Sequence, residues 1–320
     1  MILTVTPNPA LDVTYRVPAL TPGAVHRVTE VAVRAGGKGI NVARVLHRLG
    51  ARAAVLGLGG GDGGHRIRAE LIAADLDVEL IDALPDVRRT LVVHGGDGVT
   101  TSLWEPGPAP VDPAAAADAL LTAVRDRLDA VRVVTVSGSL PAGLDPALPA
   151  RISAACAEHG TPAVLDLDGA PLRSAAATVG AVLMPNTEEL AALTGRHPAD
   201  AADAAGLARE LVGPGGASAV VATLGAGGLV VVTPTAAVHA RPPRVTGNPT
   251  GAGDAACAAV ARYLAAAGPL PASPTALGPV RELATHAAAL SAASVLRPVA
   301  GEVDPAAYLR WLPHIALEEL

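Results

Sequence analysis

The chain contains no phenylalanine, two tryptophans and three tyrosines, so its core must be built from closely packed Ala, Val, Leu and Ile. Cysteine is almost as scarce. Cys156 and Cys257 both fall in small-residue helical patterns, without CxxC or Cys/His spacing, and read as reduced core residues rather than metal ligands. No basic run occurs and the net charge is -6, which argues against a nucleic-acid surface. A membrane partner is not expected either, because the longest apolar candidate, 219–232, is interrupted by Gly225, Gly227 and Gly228. The opening residues Met1 to Pro9 lack a basic flank and reach proline before any signal-length apolar segment, so they read as a first strand of a soluble, cytoplasmic protein. Also missing is G-x-x-x-x-G-K-[ST], which excludes a P-loop nucleotide site.

One lysine stands among 24 basic residues, and it is placed between glycines in Ala35-Gly36-Gly37-Lys38-Gly39-Ile40-Asn41. An ammonium on a flexible stem approaches a phosphate or sugar oxygen as a point charge, which the planar guanidinium does not. Chance placement explains one such lysine equally well, and a second motif shifts the balance. Asn248-Pro249-Thr250-Gly251-Ala252-Gly253-Asp254 leads into a small-residue helical pattern. Its glycine-rich turn presents unpaired N–H groups and the positive end of the helix dipole to an anion. Asp254 alone reads as a cap. Beside an anion cradle formed by Gly251, Ala252 and Gly253, it reads as a base for phosphoryl transfer to a hydroxyl.

Short apolar runs alternate with helical patterns: 53–58 then 67–74, 131–136 then 148–159, 163–166 then 171–178, 181–184 then a helix from Glu188, and strands at 218–223 and 228–233. This rhythm predicts an α/β chain with a mostly parallel central sheet covered by helices. Two stretches depart from it, 12–34 and 88–104, the second turning at Gly95 to Gly98, and both predict strands of a small accessory sheet. Segments 106–113 and 268–279 read as loops rather than linkers, which makes 1–320 one domain with a β-sheet lid.

Ligands in such folds lie beyond the carboxyl ends of the strands, where this chain is polar and glycine-rich. Candidates there are Asn8 and Asp12, Ser137 to Ser139, Asp166 and Asp168, each also explicable as turn or cap chemistry. Asn186 and Glu189, three apart at a helix start, fit either an acidic helix terminus or a water-mediated Mg²⁺ site. Thr223, Gly225 and Gly228 belong to a turn that either holds phosphates through its amides or simply closes a hairpin. Gly59, Gly61 and Gly64, with Glu79 downstream, satisfy G-x-G-x-x-G and would make the chain a nicotinamide-dependent oxidoreductase, but leave Lys38 and Asp254 without roles. A sugar-binding protein without catalysis would keep the cleft and dispense with Asp254.

Taken together, Thr6-Pro7-Asn8-Pro9-Ala10-Leu11-Asp12, the Gly36 to Ala43 segment, Ser137-Gly138-Ser139-Leu140-Pro141, Asn186 with Glu189, and Asn248 to Asp254 resemble the phosphofructokinase B group of ribokinase-like sugar kinases. The opening segment, the lysine-bearing loop and Glu105-Pro106-Gly107-Pro108 are most similar to its 1-phosphofructokinase and tagatose-6-phosphate kinase branch. The resemblance implies a three-layer α/β/α fold with a small β-sheet lid, ATP and Mg²⁺, and a phosphosugar acceptor. That acceptor would be fructose 1-phosphate foremost, with tagatose 6-phosphate and fructose 6-phosphate as alternatives. It implies Asp254 as base and the amides of Gly251, Ala252 and Gly253 as an anion cradle. Asp12, Gly37, Lys38, Asn41 and Ser139 would lie at the sugar, with Lys38 and Arg88, or its neighbour Arg89, on the sugar's phosphate. Asn186, Thr223, Gly225, Gly228 and Asn248 would line the ATP site, and Asn186 and Glu189 would hold Mg²⁺ through water. A homodimer through the lid is implied as well. One departure stands out: related enzymes often carry lysine before the Pro-Asn pair, where this chain has Met184.

Overall fold

The computed structural model describes residues 1–320 except 97, 272 and 274–276. Asp97, in the turn expected at 95–98, and 272 and 274–276, in the loop expected at 268–279, therefore lie outside the described residues.

In chain order the elements are β1 (Ile2–Thr6), β2 (Ala10–Val17), β3 (Glu30–Gly36), α1 (Lys38–Arg48), β4 (Ala53–Gly59), α2 (Gly61–Ala73), β5 (Asp77–Asp82), β6 (Arg88–Gly95), β7 (Thr100–Trp104) and α3 (Pro113–Arg125). They continue with β8 (Val133–Ser137), α4 (Leu148–His159), β9 (Ala163–Asp166), α5 (Gly169–Ala176), β10 (Val182–Leu183), α6 (Thr187–Thr194), α7 (Ala201–Arg209) and β11 (Ala219–Thr223). The last are β12 (Leu229–Val232), β13 (Ala237–Arg241), α8 (Ala252–Ala267), α9 (Leu277–Val295), α10 (Pro305–Trp311) and β14 (Ala316–Glu319).

Among the described residues the large sheet has the order β14-β13-β12-β11-β10-β9-β8-β1-β4-β5. From β11 to β5 the strands run parallel, and β12, β13 and β14 add an antiparallel edge. Central strands such as β1 and β4 are buried at every position, which is why they read as continuous apolar runs without alternation. In the absence of phenylalanine, the largest fully buried side chains are Leu and Ile, and the alanine-rich face of α8 packs closely between α1 and α9.

The small sheet has the order β3-β2-β6-β7. Its strands match the two expected stretches, except that β2 begins at Ala10 and β3 runs on to Gly36. Register decides what each face carries. Asp12 lies opposite both Arg34 and Thr90, with Arg88 two residues earlier on β6, while the alternate row joins Val33, Val13, Leu91 and Leu103. One face is thus polar and the other apolar, as period-two alternation requires. Since β2 leaves β1 through only Pro7, Asn8 and Pro9, the polar face is anchored beside the carboxyl end of the large sheet.

Strands β5, β13 and β14 lie outside the expected pattern. The outermost, β14, is four residues long with exposed Glu318 and Glu319, a charged edge that discourages further pairing and hides the strand signal in the sequence. The loop expected up to Pro279 also ends early, because α9 starts at Leu277 and takes that proline into its first turn, where N–H groups have no helical acceptor.

Close approach of α1 to β1 depends on Gly39, where an added Cβ would lie 2.8 Å from Thr6 Cβ and 3.0 Å from Val5 O. Helix propensity favours alanine there by about 1 kcal/mol, yet overpacking costs about 1–3 kcal/mol. Gly39→Ala should therefore lower the urea midpoint; an unchanged or raised midpoint would show that α1 moves freely away from the sheet.

Candidate active site

Asp254 sits in the first turn of α8, whose N-cap Gly251 has φ 88°. A left-handed residue is needed there, and a side chain would meet Ala300 at 2.9 Å. The carboxylate is 6 % exposed and accepts a 2.8 Å hydrogen bond from Asn41 Nδ2. Burial, reinforced by Asp166 and Asp12, pushes its pKa up to about 7, against the opposing pull of Lys38 and the Asn41 bond. A carboxyl group poised near neutrality is suited to accept a proton at physiological pH. The amides of Gly251, Gly253 and Asp254 find no partner among the described residues, whereas Ala252 N–H donates to Pro249 O at 3.1 Å. Three free donors converge on the helix N-terminus beside the carboxylate, and Ala252 contributes backbone position more than a donor.

Lys38 opens α1 directly after Gly37 and sends its ammonium to Asp166 Oδ1 at 2.9 Å. The lysine side chain is 37 % exposed and the aspartate's 8 %, so one end of the pair faces open space. Burial opposes the ammonium, but Asp166, Asp254 and Glu189 outweigh it and raise the Lys38 pKa above the ordinary lysine value. Asp166 ends β9 and so lies beneath this cation; only its place as an acid closing a buried strand signals it in the sequence.

Asn186 and Glu189 form a reciprocal capping box on α6: Glu189 N–H donates to Asn186 Oδ1 at 2.9 Å and Asn186 N–H to Glu189 Oε2 at 2.8 Å. The cap is real, and it leaves Glu189 Oε1 free. Burial raises the Glu189 pKa, with Asp166 and Asp168 adding to it and the Asn186 amide and Lys38 opposing. No group of three or more His, Cys, Asp or Glu side chains is placed to enclose a metal among the described residues. This hard-oxygen set suits a Mg²⁺ that keeps its waters and takes its remaining ligands from phosphates.

On the polar face of the small sheet, Thr90 Oγ1 donates to Asp12 Oδ1. Burial raises the Asp12 pKa, while Thr90 and the guanidinium groups of Arg88, Arg34 and Arg44 act against it. Arg88 is held by two carbonyls, Nε to Asn8 O at 3.2 Å and one terminal nitrogen to Glu105 O at 3.4 Å. Strand alternation separates it from Arg89, which is exposed and on the opposite face. Of the two arginines, Arg88 alone faces Asp12. Ser139 accepts a hydrogen bond from Asn8 Nδ2 at 3.1 Å, which brings the turn after β8 into the same group.

Thr223 pairs with Asn186 across an isolated parallel bridge, so the ends of β10 and β11 adjoin. Gly225 is exposed with nothing near its Cβ position, whereas a Cβ on Gly228 would strike Ala240 O. The hairpin reading therefore explains Gly228, and Gly225 is the open residue of the turn. Asn248 uses both ends of its amide within the chain, donating to Pro298 O at 2.9 Å and accepting from Thr250 N–H at 3.1 Å, and so braces the turn before Gly251. Met184 is buried in the core and puts no charge at the site. The rival G-x-G-x-x-G turn packs Gly60, Gly61 and Gly63 against Leu84 to Val87, and Glu79 pairs with Arg127, so the chain itself fills the space a dinucleotide would need.

The chain matches the family described as pfkB family carbohydrate kinase over residues 8–307. Among solved structures it is similar to phosphofructokinase-2 from Escherichia coli in complex with fructose-6-phosphate, 27% identical over 98% of this chain and 98% of that one, with a TM-score of 0.84. It is 23% identical to a possible 1-phosphofructokinase from Thermotoga maritima, over 100% of this chain and 99% of that one, with a TM-score of 0.86. Arabidopsis thaliana ribokinase complexed with ribose and ATP shares 20% identity over 97% of this chain and 98% of that one, with a TM-score of 0.73. The last two speak to fold alone, and the fold is the expected ribokinase-like one.

Raising the Asp254 pKa means that the folded protein holds a proton the unfolded chain has already released, so this group's contribution to stability fades as pH rises through about 7. Asp254→Asn should therefore gain thermal stability relative to the unsubstituted chain between pH 5 and pH 8, by roughly one pH unit's worth of linkage energy or more. A difference in melting temperature that does not change with pH would contradict the raised value.

Proposed function

Because the chain belongs to the pfkB family of carbohydrate kinases, we propose that it transfers the γ-phosphoryl of ATP to a hydroxyl of a ketohexose phosphate, fructose 1-phosphate foremost. The observation that carries the chemistry is the buried Asp254 carboxylate beside three unpartnered amides at the start of α8. In the reaction the acceptor oxygen forms a bond to the γ-phosphorus, the bond from that phosphorus to the β-bridging oxygen breaks, and the acceptor's proton goes to Asp254. The amides of Gly251, Gly253 and Asp254 stabilise charge on the transferring group. Asn186 and Glu189 would hold a Mg²⁺ through its waters, and such an ion, when bound, would neutralise charge on the phosphates.

On the acceptor side we assign Asp12, Gly37, Asn41 and Ser139 to the sugar and Arg88 to its phosphate. Lys38, paired with Asp166 and felt by Asp254, bridges from the acceptor toward the reacting phosphoryl. Thr223, Gly225 and the turn they belong to line the ATP side, with Asn248 and Gly228 as supports. Similarity to a phosphofructokinase-2 crystallised with fructose-6-phosphate favours that sugar as the second candidate, and tagatose 6-phosphate is the third. The small sheet acts as a lid on one kinase domain, excluding water that competes with the sugar. Val31 and Leu103, exposed on its apolar side, support a second copy as its cover in a cytoplasmic homodimer.

A coupled assay of ADP release across fructose 1-phosphate, fructose 6-phosphate and tagatose 6-phosphate, with unphosphorylated fructose and ribose as controls, tests the reading. Phosphosugars should be preferred by at least about tenfold, the size of one well-made charged contact. Asp254→Asn should reduce kcat by about 10²–10⁴-fold while phosphosugar binding persists. Preference for an unphosphorylated sugar would remove Arg88 from a phosphate, and full turnover by Asp254→Asn would remove the base.

A further inference from the structure

Asn8 lies in the three-residue connection from β1 to β2, is 3 % exposed, and has a side-chain oxygen with no hydrogen-bond partner. Its amide nitrogen donates both hydrogens across long sequence separations, to Pro106 O at 3.0 Å and to Ser139 Oγ at 3.1 Å. Its backbone carbonyl accepts from Arg88 Nε at 3.2 Å. None of these bonds belongs to a sheet ladder, since β1 pairs with β4 and β8 through Ile2 to Thr6 alone. Three parts of the acceptor side therefore meet on one asparagine: the arginine from β6, the segment leaving β7 and the turn after β8.

We infer that Asn8 is a positioning residue for the phosphosugar, setting where Arg88 and the Ser139 hydroxyl stand relative to each other. Reversing the amide would place its oxygen against Pro106 O, so the nitrogen must face that carbonyl. Ser139 Oγ then acts as acceptor toward Asn8, and its own hydrogen is left to point elsewhere, toward an acceptor on the ligand. The same bond that anchors the serine thus gives its hydroxyl a direction. Arg88 has Nε and one terminal nitrogen committed to the carbonyls of Asn8 and Glu105, which leaves the rest of the fork for an anion.

Gly107 completes the arrangement. Its φ is 89°, and a Cβ there would lie 2.6 Å from Asn8 Oδ1 and 3.4 Å from Arg88 Cδ. Only a residue without a side chain lets the segment after β7 settle onto the amide. The glycine backbone passes beside the unpaired Asn8 oxygen and the arginine stem together, so a side chain there would strike the amide while making only ordinary contact with Arg88.

This inference rests on the phosphosugar-kinase reading, and the test separates the two. Steady-state kinetics on the full chain would compare the unsubstituted protein, Asn8→Ala, Gly107→Ala and the double variant with the preferred phosphosugar. Asn8→Ala should raise KM for the phosphosugar by about tenfold and leave KM for ATP within about twofold, because only the acceptor contacts are displaced. Gly107→Ala should do the same by pushing the amide aside. Combined, the two should fall short of the product of their separate effects, since the Asn8→Ala background has no side-chain amide left to displace. If Asn8→Ala does not fold, Gly107→Ala carries the test by itself. Equal rises in both KM values, an unchanged phosphosugar KM in whichever variant folds, or a fully multiplicative double variant would overturn the inference. Absence of turnover of any phosphosugar by the unsubstituted protein would instead overturn the kinase reading on which it stands.

Discussion

A carboxylate buried at a helix N-terminus is the constraint around which this molecule is arranged. Asp254 is inside the protein, and an ionised group there is costly unless it is hydrogen-bonded and faces opposite charge. Asn41 supplies the bond and Lys38 the charge, and both come from α1. That requires α1 and α8 to approach each other closely over β1 and β8, and the packing follows from it. Small residues cover α8, the glycines around Lys38 let α1 press on β1, and the chain from Pro298 to Gly301 closes over Gly251 and Asn41. A core rich in alanine and free of phenylalanine is compatible with this geometry because small side chains let backbones come together.

The same constraint divides the site. Asp166 at the end of β9 and Asp12 on β2 raise the cost of leaving Asp254 ionised, while Lys38 and the Asn41 bond lower it. The proton affinity of Asp254 is therefore set first by burial, with two opposed sets of charges acting on top of it, and Lys38 and the Asn41 bond only partly offset the rise. Binding of a phosphosugar and a metal nucleotide would alter both sets at once, so the proton affinity of Asp254 would then follow the occupancy of both halves of the cleft.

Much of this is legible in the sequence, for reasons that differ from element to element. Buried parallel strands announce themselves as apolar runs, and β4 and β9 fall within a residue or so of where those runs lie. Glycine turns before α1 and α8 mark close backbone approach, which composition alone reveals. Strand β14 is hidden because its charged edge carries no hydrophobic period. Asn8 reads as a strand-end candidate or as turn chemistry, and its positioning contacts stay hidden: its partners lie 98 and 131 residues away, and no local pattern encodes a contact of that range. Asp166 is visible as a polar strand end, yet its pairing with Lys38 depends on how β9 and α1 meet. Gly228 and Asn248 show the converse case, where a ligand-like motif is explained in good part by neighbouring chain.

The solitary lysine can now be understood through what an arginine would do in its place. Gly138 offers ordinary contact to the Lys38 stem, with its Cβ position 3.7 Å from Lys38 Cβ, so a narrow aliphatic chain fits beside the turn after β8. At the far end a single nitrogen meets one oxygen of Asp166 while its charge is still felt by Asp254 and Glu189. A guanidinium would grip the Asp166 carboxylate with two parallel bonds and spread its charge over a plane, anchoring it to one partner. An ammonium has three donors and a compact charge, so it serves several carboxylates and still turns a hydrogen toward an incoming oxygen. A chain that places arginine at every other basic position keeps lysine where one cation must answer to three acids.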